Sequence, residues 1–178
     1  MLSRIVILFL VSGVGFARPI DLAGRSQVDF LAVARPGSVK IAGKGDKNAV
    51  IGTLQLDGSR LVGDAIVELK ELKTGLGLRD SHMRDKYLEV QKSPQAKLSL
   101  VALDLGKLKP EEAVHIGELS LHGKSLPLMA KVVNKGSVDK VDLEFAFQVK
   151  LSDFAIEKPS FLGVSVDDAV EVQVRVQE

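Results

Sequence analysis

The chain has 178 residues, 46% of them hydrophobic, with 24 Lys and Arg against 23 Asp and Glu for a formal charge of +1, and no Cys. A near-neutral chain without basic runs gives no electrostatic reason to bind nucleic acid or an anionic membrane, and without Cys there is no disulfide, no thiolate nucleophile and no lipid-modified N-terminal Cys. The length suits one domain with a full core.

Arg4 is followed by the apolar run Ile5 to Val11 and then by small residues ending Gly15-Phe16-Ala17. This is the pattern of a secretory signal, too short for the ~20 residues of a membrane span. Cleavage is expected after Ala17, leaving residues 18–178 as a single neutral domain outside the cytoplasm, periplasmic or secreted.

From there the hydrophobic period is two. Val28, Phe30 and Ala32 alternate with their neighbours, as do Leu54 and Leu56, Val67 and Leu69, Leu98 and Leu100, and Leu119 and Leu121. Leu126, Leu128 and Ala130 follow the turn His122-Gly123-Lys124. Val141, Leu143, Phe145, Phe147, Val149 and Leu151 share one parity, and so do Val170, Val172, Val174 and Val176. Strands with one apolar and one polar face belong to antiparallel sheets. Asp57-Gly58 and Asn134-Lys135-Gly136-Ser137 supply hairpin turns. The expected fold is all-β: one lipocalin-like antiparallel barrel that covers its apolar face by curling on itself.

One stretch breaks the pattern. In residues 74–90, Met83, Tyr87 and Leu88 fall on one side of a helix that Asp80 or Ser81 can cap and that Lys92-Ser93-Pro94 ends. A helix over about residues 80–90 is expected to lie across the barrel mouth. Arg79 and Asp80 are read as a structural pair pinning it there, and His82 as a mouth-lining side chain.

Catalytic and metal chemistry find little support. The three His show neither HxxxH nor HxH spacing, and His115 and His122 are an odd number of residues apart, which tends to place them on opposite faces. Ser81 and His82 are helix neighbours that do not face each other, and no G-x-S-x-G elbow exists. No enzyme, metal or required cofactor is expected.

Several short motifs in order are similar to the YceI-like, polyisoprenoid-binding family. They are Thr74-Gly75, Arg79-Asp80, His82-Met83 and Tyr87-Leu88; then Gly117, Leu119 and Leu121-His122-Gly123; then Asp153-Phe154-Ala155-Ile156; and finally Val166, Asp168 and Val170. The resemblance spans nearly the whole of residues 18–178. It implies a lipocalin-like barrel, extracytoplasmic in bacteria, whose interior holds a long isoprenoid or other amphipathic lipid, and it implies no catalysis. Many members carry a His shortly after the first-strand Phe, where this chain has Leu31-Ala32-Val33-Ala34.

A lipid of quinone or polyprenol type would then lie against Phe30, Phe145, Phe147, Phe154 and Phe161, the five Phe residues beyond the signal. Val67, Leu69, Leu98 and Leu119 complete the expected wall, with His82, Met83 and Tyr87 at the mouth. Period two allows a second arrangement, in which the same side chains pack a solid barrel. That alternative is a ligand-free periplasmic β-module acting in partner interaction or stress response. A single copy and a homodimer are both open at this point.

Overall fold

The computed structural model describes residues 17–109, 111–137 and 140–178. The expected secretory segment, apart from Ala17, lies outside the described residues. Among the described residues thirteen strands form one wholly antiparallel sheet: β1 (Arg18–Asp21), β2 (Ser26–Arg35), β3 (Val39–Gly45), β4 (Val50–Asp57), β5 (Arg60–Glu68), β6 (Leu72–Lys73), β7 (Gln95–Asp104), β8 (Ala113–Leu121), β9 (Lys124–Asn134), β10 (Asp142–Lys150), β11 (Ser160–Phe161), β12 (Val164–Val166) and β13 (Ala169–Gln177). The ladder runs β1-β4-β5-β7-β8-β9-β10-β13-β2, with β3 on the far edge of β2 and the β11–β12 hairpin continuing from β12 along the edge that β13 uses.

The alternation read from the sequence survives as the inner face of this sheet. On β10, Leu143, Phe145 and Val149 are buried while Gln148 and Lys150 between and beyond them are exposed. Opposite them in register stand Val176, Val174 and Val170 of β13. Each such pair removes apolar surface from water on one side and leaves charged side chains solvated on the other.

Curvature has a local cause on β8. Its ladder with β9 shifts between His115 and Gly117, and Gly117 has φ 147°. A Cβ there would stand 2.0 Å from the Ser99 carbonyl oxygen of β7. Only glycine lets the two strands approach this closely while one bends.

The sheet curls into a half-barrel. After β5 the chain passes through a 3-10 turn into the short β6, which pairs with the end of the edge strand β3 (Lys44 opposite Lys73, Gly45 opposite Leu72). Full closure, which would remove every edge, is therefore replaced by a two-residue bridge.

The expected helix is present with different limits. An α-helix, α1 (Gly77–His82), continues into one π turn over Met83–Tyr87. The chain leaves it at Glu89, which has φ 45°, five residues before Pro94. Asp80 does not cap the helix: Leu76 holds that position without a side-chain bond, and the Asp80 carboxylate turns back to the preceding loop. Among the described residues no helix is long and apolar enough to cross a membrane.

Candidate functional site

The inner face divides into two levels. At one end, Ile20, Leu22, Leu54, Leu61, Ile116, Leu143 and Val176 are essentially unexposed and pack into a solid core. Toward the other end the same strands diverge around a cavity of about 970 Å³ that opens beneath α1. Register explains the levels: Leu54 faces Gly63 and Leu143 faces Val176 at the closed end, while Val50 faces Val67 and Phe147 faces Val172 at the open one.

Nine of the side chains expected at a ligand line this cavity. Phe30, Val67, Leu69, Leu98, Leu119 and Phe147 form wall, and His82, Met83 and Tyr87 form mouth. Two do not. Phe145 points inward as expected but sits one step too deep, inside the solid core at 3% exposure. Phe154 belongs to a 3-10 turn (Ser152–Phe154) and is buried outside the wall, where its carbonyl accepts a bond from His122 Nδ1 at 3.1 Å. Phe161 is on β11, and its side chain lies outside what is described.

Sequence reasoning missed part of the wall. Val170, Val172 and Val174 share the inward parity and line the cavity. Their alternation was the available signal. Ala32 and Ala34, small and apolar, also line it. Ile41, Leu78, Leu162 and Val164 line the opening but lack a run long enough to show a period.

Phe30 is seated by glycine. It lies opposite Gly43 of β3, and a Cβ on Gly43 would stand 2.1 Å from the tip of the Phe30 ring. The missing side chain lets the ring lie back against the sheet and leaves the cavity open in front of it.

Polar groups gather at the mouth. Of the described lining residues only Thr74, Arg79, His82, Lys86, Tyr87, Ser160 and Ser165 carry polar side-chain atoms, and none of them is a carboxylate. Thr74, Arg79 and Asp80 form one unit. Asp80 Oδ1 accepts from the Thr74 hydroxyl and from the Thr74 backbone N–H at 2.7 Å. Arg79 donates from Nε to Thr74 Oγ1 at 2.7 Å and from a terminal nitrogen to the Thr74 carbonyl at 3.0 Å. The pair thus ties the start of the helix to Thr74. Burial pushes the Asp80 carboxyl up; the two Thr74 bonds, with Arg84 and Arg79 nearby, outweigh it and hold the group below the usual carboxylate range. Gly75, at φ 83°, makes the turn that brings Thr74 within reach.

The other end of the helix is tied as well. Glu89 accepts from Lys92 and meets His122 Nε2 at 3.0 Å, and these partners lower its carboxyl pKa in that order. Tyr87 Oη accepts from the Ser160 N–H at 3.4 Å, joining the helix to β11. The mouth is therefore a built opening with fixed sides. Among the described residues no three His, Asp or Glu side chains gather as a metal site.

The family model for the YceI-like domain matches residues 23–177. The chain belongs to the YceI-like domain family. The fold agrees with solved structures at low identity. A polyisoprenoid-binding domain from Saccharophagus degradans, implicated in plant cell wall breakdown, superposes with TM-score 0.65 at 15% identity, covering 92% of this chain and 100% of that one. Burkholderia cenocepacia BcnA gives 0.65 at 16%, covering 89% and 99%. A Campylobacter jejuni YCEI protein gives 0.63 at 16%, covering 81% and 87%. No curated protein matches the chain in sequence. In this YceI-like chain the short motifs that carried the resemblance acquire physical roles: Thr74-Gly75 and Arg79-Asp80 fasten the mouth helix, and Leu121-His122-Gly123 anchors its far end.

Proposed function

We propose that this YceI-like chain binds and carries a long isoprenoid, or another amphipathic lipid of similar length, outside the cytoplasm and without catalysis. The observation that carries the reading is the shape and chemistry of the cavity: about 970 Å³, apolar along its depth, with polar side chains only at its mouth. Sites of this size and character take apolar ligands oriented by a few polar contacts. Each buried CH₂ contributes roughly 0.8 kcal/mol, so each five-carbon isoprene unit gains a few kcal/mol before ordering costs. Several units suffice for micromolar binding. The polar mouth suits a head group that remains near water while the tail does not.

The alternative, a ligand-free module with a packed interior, is disfavoured by that volume. The test is native mass spectrometry of protein secreted from its own host, followed by organic extraction and identification of the released lipid. A bound isoprenoid of defined length is expected. Protein that emerges empty and takes up no added polyprenol or quinone would overturn the reading.

A further inference from the structure

Exposed apolar side chains are concentrated around the opening. Among the described residues the four most exposed large ones are Leu162 at 87%, Leu78 at 74%, and Leu76 and Val39 at 59% each. Leu76 and Leu78 stand at the start of α1, and Leu162 occupies the turn of the β11–β12 hairpin. Val39 opens β3 and is opposite Ala34, whose other neighbour is Val166 of β12. Of the remaining exposed ones, Val62, Val101, Met129 and Val133 are spread over β5, β7 and β9, and Val164 is on β12. Scattered exposed apolar residues need no explanation, but a group bordering an opening does.

The charged side chains that line the opening are basic, although the whole chain is nearly neutral. The α1 segment and the approach to β11 carry Arg79, Arg84, Lys86 and Lys158. The same stretches carry the carboxylates Asp80, Asp85 and Glu157, and Asp80 and Arg79 are both bonded to Thr74. Arg79 and Lys86 face the opening itself.

We infer that the rim formed by the start of α1, the β11–β12 hairpin and Val39 is a docking surface for a lipid bilayer containing anionic phospholipid. The apolar rim is continuous with the apolar cavity, because Leu78 and Leu162 belong to both. With the rim immersed in the interface, a hydrocarbon tail passes from bilayer to cavity without crossing water, which removes the largest barrier to its transfer. The basic side chains then meet phosphate groups at the depth where anionic lipid attracts them. A second copy or a protein seated on the rim would close the opening that the lipid must use. The inference rests on the carrier reading for its purpose, but its physical content, binding to a lipid surface, is measurable separately.

The experiment is flotation of the secreted chain with vesicles of phosphatidylcholine, with and without phosphatidylglycerol. A Leu76→Asp, Val39→Asp double variant serves as the probe, since neither residue lines the cavity and Asp suits the position before a helix. The wild type should float with the anionic vesicles more than with neutral ones, and the variant should lose affinity by about tenfold or more, the equivalent of one apolar side chain withdrawn from the interface. Polyprenol uptake from dispersion and melting temperature should match in the two proteins. Wild type that floats with neither vesicle, or a variant that floats as well as wild type, overturns the inference. So does a wild-type dimer in sedimentation that the variant abolishes, because the rim would then belong to a second copy. Vesicle binding that the variant loses, in a protein that takes up no polyprenol, upholds the docking surface and removes the carrier reading instead.

Discussion

Phe145 and Phe147 stand two residues apart on one strand and share one face of the sheet, yet they do different things. Phe145 is 3% exposed in a close-packed core, with Val132 of β9 opposite it. Phe147, opposite Val172, borders the cavity. The same division repeats around the half-barrel: Leu61 is packed and Val67 lines the cavity on β5, Leu100 and Leu98 divide likewise on β7, and Val176 and Val172 on β13. Residue type does not separate the two levels, since Leu, Val and Phe occur in both. A side chain's contribution here depends on the space facing it: at the closed end each methyl meets other protein atoms, and at the open end it faces the cavity.

The most forceful way to break this contrast is truncation at the closed end. Leu143→Ala should destabilise the fold by about 2–5 kcal/mol, the transfer cost plus that of the void left behind, as read by urea denaturation. Lipid carried per folded molecule should stay at the wild-type level. A loss of bound lipid that exceeds the loss of folded protein would mean that the two levels are one.

Enlargement sharpens the contrast further, because it can be made on both neighbours. Phe145→Trp should cost about 1–3 kcal/mol by overpacking and leave lipid content unchanged, whereas Phe147→Trp should cost about 1 kcal/mol or less and reduce lipid uptake by occupying tail volume. Thermal melts and extracted lipid measured in parallel decide it. A large stability loss at Phe147 with unchanged lipid would favour a packed interior.

The smallest effect is expected at the fastening of the mouth. Asp80→Ala removes the acceptor for two Thr74 bonds and should cost about 1 kcal/mol. The folded carboxyl is held below its ordinary value. Its stabilisation is therefore complete above the unfolded value of about 4 and is lost as pH falls through the lower folded one. Wild-type and Asp80→Ala melting temperatures should differ at neutral pH and converge in acid. A difference that persists unchanged at low pH would show that the carboxylate charge is not what holds the loop.

Much of the architecture was legible from alternation. The runs from Val28 to Ala32 and from Val141 to Leu151 mark the inward face directly, and the mouth helix followed from Met83, Tyr87 and Leu88 because its period breaks with the strands around it. Asp80 was misjudged as a cap because a carboxylate beside a helix start usually binds helical N–H groups; the Gly75 turn brings Thr74 closer. Phe154 was misplaced because a 3-10 turn has neither of the two periods that reveal a face. The exposed leucines at the rim, Leu78 and Leu162, sit where the chain is too irregular for any pattern to assign them a side.

What the sequence determined by itself was the side of the sheet on which each strand residue stands and the antiparallel class, because side-chain direction in a strand is a local property with period two. Where the solid core stops and the cavity begins was decided only by the tertiary structure. That boundary depends on how far opposing strands stand apart, which is set by long-range features: the bend at Gly117, the bridge through β6, and a helix held over the opening by Thr74 and His122. Local pattern carries a direction for each side chain but no distance to what lies across from it.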